Sequence, residues 1–473
     1  MGINQKANVM RRLLGPVSAA TVLAVTVTLA SVPATAAPRV EAGAPAVRAA
    51  LGATTAVQAA VQGVAERQSA RRRYTPRTGV IHTDPRRSDR RKLLNHINKS
   101  IGAVRRRHSI RIISWNIGSQ VFVDKLIAAH KRGVSVRLLM SGGKAEGNGD
   151  FYQLRRALRK TRPRIRLPKR YRSWARVCDR SCRGKRGIAH SKLFIFSRVG
   201  RAQRVVMSTS ANATEVAVQH QWNDLFTNTG SKQIYGGFVH AFEQSARDRR
   251  VRHGYRTFGG REVTGYVYPW TGRNARGDRV EKELRRITCK GARGGTGLNG
   301  RTRIRIAQDA ILGNRGIAIA KILRTKWENG CHIRIVYALM GNRILGILRH
   351  TSRGRVPIQQ IVNDWDQDGV YDRYLHSKVM AVSGWYRRDR SARIAWQGSE
   401  NWSGLAKLSD EQGFRIRRGG AEGMYARWVD YLFNNPPAPP ENTLRTARAR
   451  GVDPYALIRA ESGLPAKQIG STR

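Results

Sequence analysis

Apolar positions along this chain fall into two rhythms that alternate. Between residues 90 and 105, Leu93, Leu94, Ile97, Ile101 and Val104 recur three or four positions apart, which places them on one face of a helix. The run 110–115 that follows is rich in isoleucine and reads as a strand. A second helical stretch, 121–131, offers Val121, Leu126, Ile127 and Ala128 to a core. It stops at Arg132-Gly133, where glycine supplies a C-cap before a strand over 134–139. The order then returns: a helix over 280–287, a strand over 302–306, a helix over 317–327 that stops at Asn329-Gly330, and a strand over 331–337. Strand–helix–strand units repeated in this way predict two similar α/β halves with a largely parallel or mixed sheet.

The ends of the chain carry other patterns. Lys6, Arg11 and Arg12 precede an apolar stretch from 13 to 29, and Ala34-Thr35-Ala36 has the small-x-small form of a cleavage site. Residues 1–36 therefore read as an export signal, with an uncleaved membrane anchor as the alternative and Arg11-Arg12 leaving a twin-arginine route open. Residues 37–78 form an Ala-rich leader or linker that turns basic at Arg71-Arg72-Arg73. The halves are expected over 79–260 and 261–434. Asn435-Pro436-Pro437-Ala438-Pro439-Pro440 should end the compact part, and the tail 435–473 leaves room for one short helix at 454–460.

Composition narrows the partners. The formal charge is +57, and removing the export signal 1–36, which carries three positive residues and no acid, leaves +54. Such a surface attracts polyanions: nucleic acid, anionic lipid head groups or phosphate-bearing wall polymers. Arginines scattered through every segment fit solvated faces equally well, so charge alone names no substrate. Four cysteines permit three connectivities. Cys178 with Cys182, and Cys289 with Cys331, is the economical pairing, one bridge in each half. A zinc site is the competing reading, and disulfides suit an oxidising compartment better.

The chemistry sits in a pattern that occurs twice. His190-Ser191-Lys192 opens one apolar strand and His376-Ser377-Lys378 another. Behind them come Thr209-Ser210-Ala211-Asn212 and Gly398-Ser399-Glu400-Asn401. A histidine and a lysine two apart on a strand project from one face. Two histidines are what a two-step phosphodiester displacement needs, one to attack phosphorus and one to protonate the departing oxygen.

Paired His-x-Lys elements with trailing Ser-x-Asn resemble the phospholipase D superfamily, and the resemblance covers roughly residues 80–432. It implies a duplicated phospholipase D-like fold, two α/β halves related by pseudo-two-fold symmetry with one shared active site. By the same resemblance His190 is the nucleophile, forming a phosphohistidine, and His376 the general acid. Lys192 and Lys378 then meet the non-bridging phosphate oxygens, helped by Ser210, Asn212, Ser399 and Asn401. Family members hold each imidazole with a carboxylate downstream of Ser-x-Asn. Asp224 and Glu411 are the candidates here, with Asp410 in reserve.

The sequence departs from the family where an aspartate is expected five residues after each lysine. Ser197 and Ser383 stand there, and Thr209 replaces a glycine next to Ser210. Asp364-Trp365-Asp366-Gln367-Asp368-Gly369 with Asp372 has the alternating acids of a calcium loop, but Leu375 stands where an EF-hand needs its last glutamate. The other reading is an acidic turn before the catalytic strand. Trp115, Trp365, Trp385, Trp396 and Trp402 are expected in the core. No cofactor or metal is called for by imidazole, ammonium, hydroxyl and amide groups. The expectation is a secreted, monomeric phosphodiesterase acting on phospholipid at a membrane surface. A secreted nuclease and a catalytically impaired polyanion-binding protein are the alternatives.

Overall fold

The structure, a computed structural model, describes residues 74–160, 163, 168–437 and 443–464. The export signal, and the leader up to residue 73, lie outside the described residues. Six strands form the body of the first sheet: β1 (Ser109–Ser114), β2 (Ser135–Ser141), β3 (Trp174–Cys178), β4 (Lys192–Val199), β5 (Ala202–Thr209) and β6 (Gln221–Asn228). Their order across the sheet is β6-β5-β4-β1-β2-β3. The second sheet has β7 (Arg303–Ile311), β8 (His332–Met340), β9 (Ile358–Gln360), β10 (Lys378–Tyr386), β11 (Asp389–Gly398) and β12 (Gln412–Ile416). Its order is β12-β11-β10-β7-β8-β9, the same arrangement again. Strand senses match as well. β1–β2–β3 and β7–β8–β9 are parallel, while the pairings that lead from β1 to β6 and from β7 to β12 are antiparallel. The fold is mixed α/β with a repeated sheet.

Helices fill the connections that the parallel pairs require. α1 (Lys92–Ala103) precedes β1, and α2 (Gln120–Lys131) carries the chain from β1 to β2. α3 (Lys232–Ser245) follows β6, α4 (Gly313–Glu328) joins β7 to β8, and α5 (Ala421–Asn434) follows β12. Gly133 and Gly330 stand just past α2 and α4 with φ of 88° and 93°, the left-handed conformation that ends a helix most easily at glycine. Within α2 the buried face differs from the expected one. Phe122, Val123, Leu126, Ala129 and His130 are buried, while Val121 is 50% exposed. The aromatic Phe122 buries more area than Val121 would, and this rotates the helix by one position.

The strands alternate faces, which divides the apolar residues among three clusters. Leu193 and Ile195 of β4, Val379 and Ala381 of β10, Phe238 and Phe242 of α3, and Tyr425 and Val429 of α5 share the central cluster. Phe194 and Phe196 turn the other way, toward α1 and α2. Met380 and Val382 turn toward Ile319 and Leu323 of α4. Trp115, Trp396 and Trp402 are buried as expected, but Trp365 is 66% exposed and lies against the Arg373 guanidinium at 4.1 Å. Both expected disulfides are present, Cys178–Cys182 and Cys289–Cys331.

Two strands cross between the halves. Arg373–Leu375, from the second half of the sequence, pairs in parallel with β6 of the first sheet. Arg256–Gly259 joins the edge of the second sheet through Val263–Val267. The limits 79–260 and 261–434 therefore remain a proposal about the repeat. The compact part does not stop at the prolines. Beyond them α6 (Ala456–Ser462) and Leu464 are packed, with Ile458 in the central cluster. No helix among the described residues is long and apolar enough to cross a membrane.

Candidate active site

Lys192 and Lys378 are the first residues of β4 and β10, so each His-Ser dipeptide sits just off the end of its strand. The other half holds it there. His190 N donates to Asp410 O at 3.1 Å, and His376 N donates to Trp222 O at 2.9 Å. Ser191 Oγ and Ser377 Oγ reach the same two carbonyls at 3.2 and 3.3 Å. Each lysine folds back to its own histidine carbonyl, at 2.8 Å for Lys192 and 2.6 Å for Lys378.

The imidazoles are held across the halves too. His190 Nδ1 meets Glu411 Oε1 at 2.9 Å, and His376 Nδ1 meets Asn223 Oδ1 at 3.1 Å. Asn223 Nδ2 donates to Ala217 O at 3.1 Å, so Oδ1 is the acceptor and Nδ1 of His376 carries the proton. Ser210 Oγ donates to the same Asn223 oxygen at 2.8 Å, and Ser399 Oγ donates to Glu411. Asn223 and Glu411 thus occupy matching places. Asp224, expected to orient a histidine, has the place of Gln412 instead: its carbonyl receives Ser210 N at 3.0 Å, as that of Gln412 receives Ser399 N at 2.9 Å. Its carboxylate accepts from Tyr425 Oη at 3.4 Å, and burial pushes it up to about 6. Asp410, the reserve, turns its carboxylate to Cys182 N at 2.5 Å and is pushed by burial up to about 7.

Several polar atoms of the motif residues are left over. Nε2 of both histidines, both amide atoms of Asn212 and Oδ1 of Asn401 are buried without a hydrogen-bond partner among the described residues. Burial, reinforced by Lys192 and Lys378, drives His190 and His376 well below the usual imidazole range. Burial also lowers both lysines and lifts Glu411 to about 8. Every one of these groups is pushed toward neutrality, and an arriving phosphate anion would push the cations back.

The sequence reading missed Asp309 and placed Trp115 only in the core. Asp309 pairs with Lys378 Nζ at 3.1 Å. Its counterpart is Trp115, edge-on to His190 with ring centres 5.6 Å apart. Each follows the residue paired with the motif lysine, Gln308 or Ser114, so only the strand register reveals them. Beneath Ser399 and Asn401, Glu400 binds Arg279 Nη2 at 2.5 Å, Tyr268 Oη at 2.7 Å and also Arg315. Burial works against its charge, but the two guanidinium groups outweigh burial and hold it at about 2. Arg315 Nη1 also donates to Asn401 O at 3.1 Å, which fixes the turn bearing the motif amide.

The departures from the family pattern have structural uses. Ser197 Oγ accepts from Ser109 N at 2.9 Å, and Ser383 Oγ accepts from Gly297 N at 3.0 Å. Thr209 donates to Asp224 O at 2.7 Å and so turns away from the free amide atoms. Oxygens of Asp364, Asp366 and Asp372 lie within 4.8 Å of one another, a set that could hold a cation. Asp364 Oδ2 and Asp372 Oδ2 also accept main-chain amides of Gly369 and Trp365 at 3.1 and 2.8 Å, as an acidic turn does.

The profile of the family described as cardiolipin synthase, PLD-like domain, matches residues 96–245, from α1 to the end of α3 and across the first His-x-Lys element. Residues 96–245 are therefore similar to a PLD-like domain, and this match covers about a third of the chain. Likeness to a PLD-like domain supports phosphodiester chemistry in general. Among solved structures, the chain is similar to a phosphatidylserine synthase from Haemophilus influenzae, at 12% identity and a TM-score of 0.47, covering 80% of this chain and 94% of that one. Polyphosphate kinase from Porphyromonas gingivalis has 10% identity and a TM-score of 0.48, covering 76% of this chain; the chain spans 50% of that protein's length. Yeast tyrosyl-DNA phosphodiesterase has 9% identity and a TM-score of 0.38, with coverage of 72% of this chain and 90% of that one. No curated protein matches the sequence.

Proposed function

We propose that this protein is a secreted phosphodiesterase of the phospholipase D type that hydrolyses phospholipid head-group esters, working as a monomer. The observation that carries the chemistry is the pair of partnerless Nε2 atoms, each on an imidazole whose Nδ1 is held from the opposite half. The two holders differ. Once a bound phosphate restores the lysine charges, those charges favour the ionised form of Glu411, and a carboxylate accepting the Nδ1 proton makes the far nitrogen more basic than an amide does, which favours His190 as nucleophile. Its Nε2 would form a bond to phosphorus while the bond to the leaving oxygen breaks, and His376 would give that oxygen a proton. Water, deprotonated by His376, then attacks the phosphohistidine and frees His190. Lys192, Lys378, Asn212 and Asn401 would steady the non-bridging oxygens. Both disulfides suit an exported protein.

Acid-stable and acid-labile phosphate after rapid quenching of a labelled substrate tests this reading. With a labelled p-nitrophenyl phosphodiester, whose leaving group departs without a proton, the expected result is an acid-labile label on His190 that builds up in His376→Ala and vanishes in His190→Ala. Lys192→Ala and Lys378→Ala should each lose on the order of two to three powers of ten in rate. Near-normal turnover by His190→Ala would overturn the mechanism. The formal charge of +57 favours a second reading, a nuclease with the same chemistry.

A further inference from the structure

The motif side chains are shut away from solvent: His190 and His376 are 2% and 0% exposed, and Lys192 and Lys378 are 0% and 4%. Part of the cover is the segment 456–464. Ser462 Oγ donates to Asp309 Oδ2 at 2.7 Å, the carboxylate that pairs with Lys378. Glu461 is 7% exposed and meets Lys144 Nζ at 3.4 Å, while its Oε2 is buried with no hydrogen-bond partner among the described residues. Its charge reaches Lys192 and opposes the burial that drives that ammonium toward neutrality. Gly463 takes a left-handed φ of 64° against Ile188 and Trp115, where an added Cβ would come within 2.5 and 3.2 Å. Ser462 and Leu464 line one small cavity with His190, Asn401 and Glu411.

A phosphodiester must bring a negative group to Lys192. Glu461 holds a buried carboxylate oxygen without a hydrogen-bond partner among the described residues, on the same turn as Ser462, whose hydroxyl binds Asp309, the partner of Lys378. We propose that residues 456–464 are an autoinhibitory plug, with Glu461 standing in for the substrate's anion, and that their withdrawal opens the site. The proposal rests on the phosphodiesterase reading for the identity of what enters. Beyond the Ser462–Asp309 and Glu461–Lys144 contacts, the chain leading into the plug is tied down where Tyr371 N donates to Pro454 O at 2.8 Å and Gln360 Nε2 donates to Tyr455 Oη at 3.3 Å. Just before it, Arg448, Ala449, Arg450 and Gly451 are exposed, a stretch open to a protease that cuts after arginine.

The test compares the full chain, the chain ended after Gly451, and full-length Glu461→Gln/Leu464→Asp. Each is read in two ways: the rate at which diethyl pyrocarbonate modifies His190 and His376, followed by mass spectrometry, and hydrolysis of bis(p-nitrophenyl) phosphate. If the open form is about a tenth of the intact population, both rates rise about tenfold in the two altered proteins. Faster modification without any hydrolysis would keep the plug and sink the phosphodiesterase reading. Equal modification and equal turnover in all three would sink the plug and leave the enzyme. Should the shortened chain lose its near-ultraviolet circular dichroism, the full-length variant decides by the same two rates.

Discussion

Glu400 is a charge in the floor of the site that touches no substrate position, yet the turn above depends on it. It joins Arg279, Arg315 and Tyr268, all buried, and removing its charge takes the carboxylate from Arg279 and leaves Arg315 with Asp278 alone. Glu400→Gln should destabilise the protein by about 3–5 kcal/mol near neutral pH, as the loss of one partner from a buried ion network does. A folded-state pKa of about 2 lies below the unfolded value, so this stabilisation is present above about pH 4.5 and disappears as pH falls toward about 2. Denaturant unfolding of both proteins across that range should show the gap closing; a gap that stays constant would refute the assignment. At this scale the sequence showed both histidines and both lysines, because their spacing repeats. It misled by one residue at Asp224. An acid is the natural holder of an imidazole, but the register of β6 presents Asn223 to His376 instead.

Elements were legible wherever local pattern decides them. The helices α1 and α4, the glycines that end α2 and α4, and the strands that carry Lys192 and Lys378 all follow from spacing. The crossing of Arg373–Leu375 into the first sheet has no such signature, since a three-residue strand has no period and its partner lies far away in sequence. The fate of α6 was hidden for a like reason. Prolines mark a turn but not what the chain packs on afterwards. The disulfides give elements a measurable difference. Cys289–Cys331 spans 42 positions and Cys178–Cys182 spans 4, so loop closure in the unfolded chain should make them worth about 4 and about 2 kcal/mol. Thermal unfolding of Cys289→Ala/Cys331→Ala and of Cys178→Ala/Cys182→Ala should show the larger drop in Tm for the first pair. The reverse order would mean that strain or unfolded-state structure dominates.

Across the whole molecule, charge separates the two substrate readings. A nuclease contacting six to ten phosphates should lose roughly three to five powers of ten in affinity between 50 and 200 mM salt. Cleavage of zwitterionic lipid should keep most of its rate over that range, because apolar contacts are not screened. Turnover on phosphatidylcholine vesicles and on plasmid DNA across one salt series tells them apart. Efficient DNA cleavage with no release of choline would reassign the substrate and keep the paired-histidine chemistry. The exchange of holders between the halves reaches further. Were the two repeats separate, identical subunits, both imidazoles would face the same side chain and neither could specialise. Covalent fusion lifts that restriction, and this chain has used the freedom: one copy supplies Glu411 and the other Asn223. A tandem gene can thus evolve a division of labour between attacker and proton donor that a homodimer must re-establish, by breaking symmetry, each time a substrate binds.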